Sequence, residues 1–176
     1  IIDGELLAFA PCGLTEYTIP DNVTTINNHV FSDCRNLQKI VIPNSVTKIG
    51  EYSFSWCTNL SQVELPDSLV EIGQGAFYNC HSLQKIVIPN GVTKIEDSTF
   101  EYCENLSQIV LPDTLNEIGQ YAFFYCSKLE DCPIPTNVQF IDEDAFGDWE
   151  SKKDMYPNIM SISEFNDFLS NLCKKE

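Results

Sequence analysis

The residues with the most obvious chemical potential are the eight cysteines. None forms a C-x-x-C pair, so their spacing does not indicate a zinc site. Five recur every 23 residues: Cys34, Cys57, Cys80, Cys103 and Cys126. If equivalent turns of chain stack, these side chains point the same way, whereas a disulfide needs converging Cβ atoms about 3.8 Å apart. We therefore predict five free, buried thiols that act as small hydrophobic side chains and donate to neighbouring carbonyl groups.

The other three cysteines lie outside this series. Cys12 is one position out of register. Cys132 stands where other repeats have Ile40 and Ile86, so we expect it in the core. A disulfide between Cys132 and Cys173 is a less favoured alternative.

No arrangement typical of catalysis accompanies the cysteines. His29 and His81 occupy different registers, with no Cys or Asp spaced like a metal-ligand set or a catalytic triad, so we interpret them as surface or turn residues. The acidic run Asp142–Asp144 lacks EF-hand spacing, which leaves calcium binding a weaker alternative. The sequence therefore predicts no catalytic residue, no metal site and no cofactor.

The charge of the chain excludes several classes of partner. Twenty-six acidic and ten basic side chains in 176 residues give a formal net charge of −16, which repels nucleic acids and anionic membranes. There is no apolar run long enough for membrane insertion. The 43% hydrophobic fraction is enough for a packed core. Because the chain starts at Ile1, we expect a mature or trimmed form.

An internal repeat must position these residues. Proline, phenylalanine, leucine and isoleucine share the 23-residue interval, and the unit reads C-x-x-L-x-x-I-x-I-P-x-x-V-x-x-I-x-x-x-x-F-x-x. Such a period is typical of a solenoid, in which each repeat buries its apolar side against the next. Period-2 alternation predicts a strand with Ile40 and Ile42 inward and Lys39 and Val41 outward. The segment from Phe to Cys is expected to return the chain in a 3₁₀-like turn.

A longer period of 46 residues lies over the shorter one. Segments 37–49 and 83–95 differ at a single position, which indicates a duplicated pair of repeats. Charges alternate in sign along one column: Lys48, Glu71, Lys94 and Glu117. We interpret this column as a ladder of ion pairs that maintains the register between repeats.

The ends of the chain depart from the repeat, as the ends of a solenoid must. Residues 1–19 are interpreted as an antiparallel hairpin, because turn signals flank short apolar segments. Residues 20–149 form the repeats. In residues 150–176, a capping box at 161–164 and apolar residues at helical spacing predict a helix that covers the last repeat.

This repeat closely resembles the BspA-like, or Treponema-type, leucine-rich repeat, whose signature is approximately C-x-x-L-x-x-I-x-I-P-x-x-V-x-x-I-G-x-x-A-F-x-x. The resemblance covers about residues 3–149. It implies an α/β repeat fold: a right-handed leucine-rich-repeat solenoid of 23-residue units with short parallel strands, an N-terminal hairpin cap and a C-terminal helical cap. It also implies a secreted or cell-surface protein associated with adhesion, without a catalytic site.

Two surfaces are candidates for binding a partner protein. The first is the exposed sheet face, with outward residues Lys39, Val41, Gln62, Glu64, Lys85, Val87, Gln108 and Val110. Valines among polar side chains suit recognition, although valine is also a common strand residue. The second is an aromatic edge next to the cysteine column, formed by Trp56, Tyr102 and Tyr125, for which mutual packing over the turn is the alternative.

The predicted function is that of a non-enzymatic, monomeric protein-binding module, secreted or at the cell surface, whose partner is a host extracellular protein or another cell surface. A rigid surface costs little entropy on association, and the negative charge favours a basic partner. The alternative is an intracellular scaffold built from the same repeats, since free thiols suit a reducing compartment.

Overall fold

The computed structural model of the protein describes residues 5–6, 12–129 and 132–146, in which twelve short strands follow one another. Five strands have three residues: β2 (Glu16–Thr18), β4 (Lys39–Val41), β6 (Gln62–Glu64), β8 (Lys85–Val87) and β10 (Gln108–Val110). Seven strands have two residues: β1 (Glu5–Leu6), β3 (Thr25–Ile26), β5 (Lys48–Ile49), β7 (Glu71–Ile72), β9 (Lys94–Ile95), β11 (Glu117–Ile118) and β12 (Phe140–Ile141).

The strands stack into two parallel ladders. The three-residue strands pair in the orders β2–β4–β6 and β8–β10, and the two-residue strands in the orders β1–β3–β5–β7 and β9–β11–β12. Partners are equivalent positions of successive repeats, as in the pairs Ile40–Val63 and Ile49–Ile72. The prediction of stacked 23-residue repeats with short parallel strands is therefore confirmed.

Both ladders are divided at the same level. Strands β6 and β8 are neighbours, as are β7 and β9, but no strand pairing joins either of these described pairs. The turns provide continuity there, because Gly75 N donates to Asp97 O and Phe77 N donates to Thr99 O, both at 2.9 Å. This level is the junction between the two copies of the 46-residue unit, 37–82 and 83–128.

The core consists of apolar columns to which each repeat contributes one residue per column. The largest is a stack of nearly parallel rings whose centroids are 5.0–5.6 Å apart: Phe31, Phe54, Phe77, Phe100, Phe123 and Phe146. The middle residues of strands β4 and β8, Ile40 and Ile86, are buried beside it. Since every repeat presents the same side chains at the same height, each buries its apolar side only against its neighbours.

Hydrogen-bonded turns, rather than helices, return the chain between the ladders. The described residues contain no helix, so the helical component of the predicted α/β class is wrong for this part of the chain. Each turn has two residues at positive φ, in the columns His29, Tyr52, Gly75, Ser98, Tyr121 and Asp33, Trp56, Asn79, Tyr102, Tyr125. Left-handed residues interrupt helical dihedrals, so bonds such as Cys57 N to Phe54 O do not extend into a helix.

The predicted antiparallel hairpin at the N-terminus is also wrong. Strand β1 pairs in parallel with β3, and β2 pairs in parallel with β4. The two strands therefore belong to different ladders. Each pairs with the next repeat in the same parallel pattern as the later strands of its ladder. The helix predicted within residues 150–176 lies outside the described residues.

Candidate protein-binding surfaces

The cysteine column lies inside the solenoid beside the phenylalanine stack. Four thiols donate to the carbonyl oxygen of the phenylalanine in the preceding repeat at 3.1–3.2 Å, in the pairs Cys57–Phe31, Cys80–Phe54, Cys103–Phe77 and Cys126–Phe100. The predicted role of these four cysteines is therefore confirmed. Burial raises the pKa of Cys57 and of Cys103 to about 12. Because the thiolate is the nucleophile, these buried thiols are chemically inert near neutral pH.

Cys34 departs from the predicted pattern, because it forms a disulfide with Cys12. The prediction of a free thiol is wrong at this position. Cys12 precedes Cys34 by 22 residues instead of 23, so it does not repeat the orientation of the column and the two side chains can converge. Cys132 is buried, as predicted, and Cys173 lies outside the described residues.

The structure brings all eight predicted sheet-face residues to one side of the solenoid. In β4, β6, β8 and β10 the middle residue is buried and the two flanking residues are exposed. The columns are Lys39, Gln62, Lys85, Gln108 and Val41, Glu64, Val87, Val110. The valines expose 42%, 50% and 49% of their surface, in chain order. A role of this face in binding remains a prediction.

The aromatic edge is larger than its three predicted members. Tyr102 and Tyr125 stack with nearly parallel rings whose centroids are 5.0 Å apart. Tyr78 links them to Trp56, since its ring centroid lies 5.7 Å from that of Tyr102 and 6.0 Å from that of Trp56. Phe124 packs edge-on against Tyr125 at 4.5 Å. The sequence reasoning missed Tyr78 and Phe124, although they are 46 residues apart and the longer period could have located both.

A cation lies over one end of the aromatic edge. The guanidinium carbon of Arg35 is 6.0 Å from the centre of the Trp56 ring, where the π electrons attract a positive charge. The Nε of the same guanidinium donates to Asp33 Oδ1 at 2.7 Å. Arg35 is the only arginine of the chain and was not among the predicted site residues.

The alternating charge column forms ion pairs, as predicted. Lys48 Nζ is 2.7 Å from Glu71 Oε1, and Lys94 Nζ is 3.1 Å from Glu117 Oε1. Each pair lies within one 46-residue copy. Across the junction, the described residues show no ion pair between Glu71 and Lys94, which matches the interruption of the strand ladders there.

The two histidines lie in turns, in agreement with their interpretation. His29 stacks on Tyr52 with centroids 5.5 Å apart. In the described part of the chain, no three His, Cys, Asp or Glu side chains form a cluster that could hold a metal ion. Within the same residues, no helix has the length and apolar character needed to cross a bilayer.

Comparison with known proteins agrees with this repeat architecture. The sequence profile of the BspA type leucine rich repeat region matches residues 6–73 and 29–153, with 6 copies. The chain belongs to this family. Leucine-rich repeat proteins of this kind are generally non-enzymatic modules that bind other proteins.

Several solved structures resemble this BspA-type chain. The leucine-rich repeat protein of T. pallidum is 39% identical, with a TM-score of 0.61, over 63% of this chain and 52% of that one. A leucine-rich cell surface protein of Faecalibacterium prausnitzii is 35% identical, with a TM-score of 0.64, over 65% of this chain and 30% of that one. A leucine-rich repeat protein of Eubacterium ventriosum is 28% identical, with a TM-score of 0.63, over 82% of this chain and 45% of that one.

The BspA-type chain thus spans 52% of the first of these proteins and 30% of the second. No curated protein matches it.

Proposed function

We propose that this BspA-type chain is a non-enzymatic protein-binding module of a secreted or cell-surface protein, and that the sheet face carries the partner. The main support for this proposal is the alignment of Val41, Val87 and Val110 in one exposed column among polar residues. Apolar side chains surrounded by polar ones are typical of a recognition surface. Because the ladder already fixes the backbone, association costs little conformational entropy.

The disulfide between Cys12 and Cys34 supports a location outside the cytoplasm. Disulfides persist in oxidising compartments and are rare in reducing ones. The free thiols of Cys57, Cys80 and Cys103 are compatible with the same location, because burial keeps them from oxidants. Thiol content therefore no longer favours the alternative of an intracellular scaffold. The resemblance to a cell surface protein of Faecalibacterium prausnitzii points in the same direction.

The charge of the chain favours a partner with a basic surface. The formal net charge is −16, and a field of this sign speeds the approach of a positively charged protein. On the sheet face itself, Lys39 and Lys85 provide local positive charges beside Glu64, so the face combines a mixed charge pattern with apolar contact area. We infer that the partner has a net positive charge and that its contact surface contains both charged and apolar side chains.

The test is a binding measurement against a panel of host extracellular proteins with the intact chain and two variants. In the first variant, Val41→Glu and Val87→Glu place charges in the valine column. Glu64 already occupies this column between them, so a glutamate side chain fits the exposed position, although three carboxylates in a row repel one another. The control is Val70→Glu, because Val70 is 57% exposed but lies next to β7 in the other ladder.

We expect the sheet-face variant to bind its partner at least tenfold more weakly, and the Val70→Glu variant to bind like the wild type. The melting temperature of the Val70→Glu variant should match that of the wild type, and that of the sheet-face variant should fall slightly because its carboxylates repel one another, while circular dichroism shows that both variants remain folded. Unchanged binding by the sheet-face variant, or an equal loss in the control, would contradict the proposed site.

A further inference from the structure

We propose that the aromatic edge is a second binding site, separate from the sheet face, and that it binds an arginine-containing segment of another protein. The edge consists of Trp56, Tyr78, Tyr102, Phe124 and Tyr125, whose rings contact one another across successive turns. Trp56 and Tyr125 are the most exposed, at 43% and 55%. The inference goes beyond the sheet-face function and does not depend on it.

The chain already contains one example of the proposed interaction. The guanidinium of Arg35 lies over the Trp56 ring at 6.0 Å and forms an ion pair with Asp33 at 2.7 Å. Both partners of the ion pair are exposed, at 64% and 62%. At the protein surface, one ring and one carboxylate together therefore position a guanidinium.

At the other end of the edge, no cation lies over a ring within the part of the chain that the structure describes. Trp56 follows Arg35 by 21 residues, and Tyr125 follows Glu104 by the same number, so Glu104 holds the register position of Arg35. The carboxylates of Glu101 and Glu104 form no ion pair within the described part of the chain. Two carboxylates without an ion pair, at register positions next to those of the stacked rings, provide the chemistry that attracts a guanidinium.

Glu101 follows Tyr78 by 23 residues and lies in the neighbouring repeat, where its backbone carbonyl accepts the N–H of Asn79 at 2.8 Å. Burial, followed by the charge of Glu101, raises the pKa of Tyr78 above its ordinary value. The carboxylate of Glu101 therefore acts on the ring that links Trp56 to Tyr102. A guanidinium bound there would meet ring faces and carboxylate oxygens together.

The backbone at this edge is unfavourable for the aromatic residues it carries. Trp56, Tyr102 and Tyr125 have φ values of 61°, 59° and 56°. Left-handed backbone favours Gly, Asn and Asp, and bulky side chains there are strained. The same column contains Asp33 and Asn79, which suit this conformation. The aromatic residues of the edge therefore carry a conformational cost, which Tyr52 and Tyr121 share in the other left-handed column.

Duplication does not account for all three rings. Trp56 and Tyr102 occupy matching positions of the two 46-residue copies, but Tyr125 matches Asn79. The second copy therefore has an aromatic residue where the first has an ordinary turn residue. This difference completes the Tyr102–Tyr125 stack, in which the ring centroids are 5.0 Å apart.

Arginine is the side chain that fits this combination best. Its guanidinium is planar, stacks on aromatic faces and bonds to carboxylates through two donors, whereas the lysine ammonium is a compact, strongly hydrated charge. A neutral glycan would stack on the rings and donate hydroxyl groups to the carboxylates, but it carries no positive charge to match those of Glu101 and Glu104. The formal net charge of −16 further favours a basic segment.

The probe is a fluorescent Gly/Ser peptide with spaced arginines, compared with the same peptide containing citrulline, which keeps the shape and loses the charge. Binding to the intact chain is measured by fluorescence anisotropy at low and at physiological salt. The test variant is Tyr102→Asn with Tyr125→Asn, because Asn79 shows that asparagine suits this column. The matched control is Tyr102→Phe with Tyr125→Phe, which keeps both rings.

A second variant, Glu101→Gln with Glu104→Gln, removes charge and leaves the rings unchanged. We expect the arginine peptide to bind at least tenfold more tightly than the citrulline peptide. The asparagine variant should lose at least tenfold in affinity, the phenylalanine variant less than threefold, and the glutamine variant several-fold together with most of the salt dependence. The sheet-face variant Val41→Glu with Val87→Glu should bind the peptide normally.

Three outcomes would overturn the proposal. Equal affinity for the citrulline peptide would show that the guanidinium charge is not recognised. Unchanged affinity in both the asparagine and glutamine variants would place the peptide elsewhere on the acidic surface. Tyr102-dependent binding to a glycan array, without binding to the arginine peptide, would identify the edge as a carbohydrate site instead.

Discussion

The thiol of Cys80 donates a hydrogen bond of 3.1 Å to the carbonyl oxygen of Phe54, across the boundary between two repeats. The same carbonyl accepts the backbone N–H of Cys57 at 3.2 Å, which closes the turn within its own repeat. One oxygen therefore serves both the local turn and the stacking of repeats. Cysteine suits this place because it is small, apolar and still able to donate.

Burial of the thiols predicts a loss of stability at alkaline pH. The pKa values of Cys57 and Cys103 are raised to about 12 in the folded protein. In the unfolded chain the thiols have a pKa near ~8.5, so above that pH the unfolded state loses protons that the folded state keeps. The contribution of these thiols to stability is therefore fully present below about pH 8.5 and is lost as the pH rises toward 12. The free energy of unfolding should fall above about pH 9, by at most ~1.4 kcal/mol per pH unit for each thiol.

The measurement is urea unfolding followed by circular dichroism between pH 7 and 11. Tyrosines also titrate in this range, so the control is Cys57→Ala with Cys103→Ala. This variant should be less stable at pH 7 but should lose stability less steeply above pH 9. Equal slopes in the two proteins would contradict the assignment to the thiols.

The Cys12–Cys34 disulfide should stabilise the first repeats. It closes a segment of 22 residues, for which the chain-entropy relation gives about 3 kcal/mol. Addition of dithiothreitol should lower the urea midpoint of the wild type. The variant Cys12→Ser with Cys34→Ser should already have the lower midpoint and should not respond to the reductant. Peptide mapping without reductant should recover Cys12 and Cys34 as one linked peptide, and separate peptides would count against the disulfide.

The phenylalanine stack should be a major source of stability. Phe77 is fully buried between Phe54 and Phe100, with ring centroids 5.3 Å and 5.6 Å away. Replacement by alanine removes the ring contacts and leaves a cavity, so Phe77→Ala should cost about 3–5 kcal/mol in the free energy of unfolding. Phe77→Leu refills part of the volume and should cost less. A loss below 1 kcal/mol for Phe77→Ala, measured by urea unfolding, would be inconsistent with this packing.

Two equivalent turn positions should respond in opposite directions to substitution. Gly75 and Ser98 are 23 residues apart, and both have positive φ, at 58° and 55°. At Gly75 an added Cβ would also overlap the Tyr52 ring, so Gly75→Ala should destabilise the protein by more than 1 kcal/mol. Ser98→Gly relieves the left-handed strain and should be neutral or stabilising by up to ~1 kcal/mol. Thermal melts of both variants test this pair, and equal effects at the two positions would refute the role assigned to the backbone.

The 23-residue period of the sequence predicts columns of equivalent side chains, such as the phenylalanine stack and the buried cysteines. A solenoid translates each repeat by one rung, so residue n lies beside residue n + 23. The stacking of Phe54 on Phe77 and the ion pair of Lys48 with Glu71 both follow from that rule. The alternation of inward and outward residues in β4 also follows, because strand geometry has a period of two.

The repeat period does not predict backbone conformation, and some turn residues adopt a conformation that their residue type disfavours. Trp56 and Tyr102 lie at positive φ although aromatic residues disfavour it. The cause lies in the neighbouring repeat, because the left-handed residues direct their N–H groups along the solenoid. Trp56 N donates to Tyr78 O and Tyr102 N donates to Phe124 O, both at 2.8 Å. Hydrogen bonds between repeats thus override the local preference.

The sequence by itself therefore determined the period, the core columns and the side of each strand that faces solvent. Only the tertiary structure decided which non-equivalent positions meet, such as Cys12 with Cys34, Arg35 with Trp56 and Tyr78 with Tyr102. A repeat period predicts contacts only between equivalent positions of neighbouring repeats. Contacts between unlike positions depend on the direction in which each turn leaves the ladder, and the packing of neighbouring repeats sets that direction.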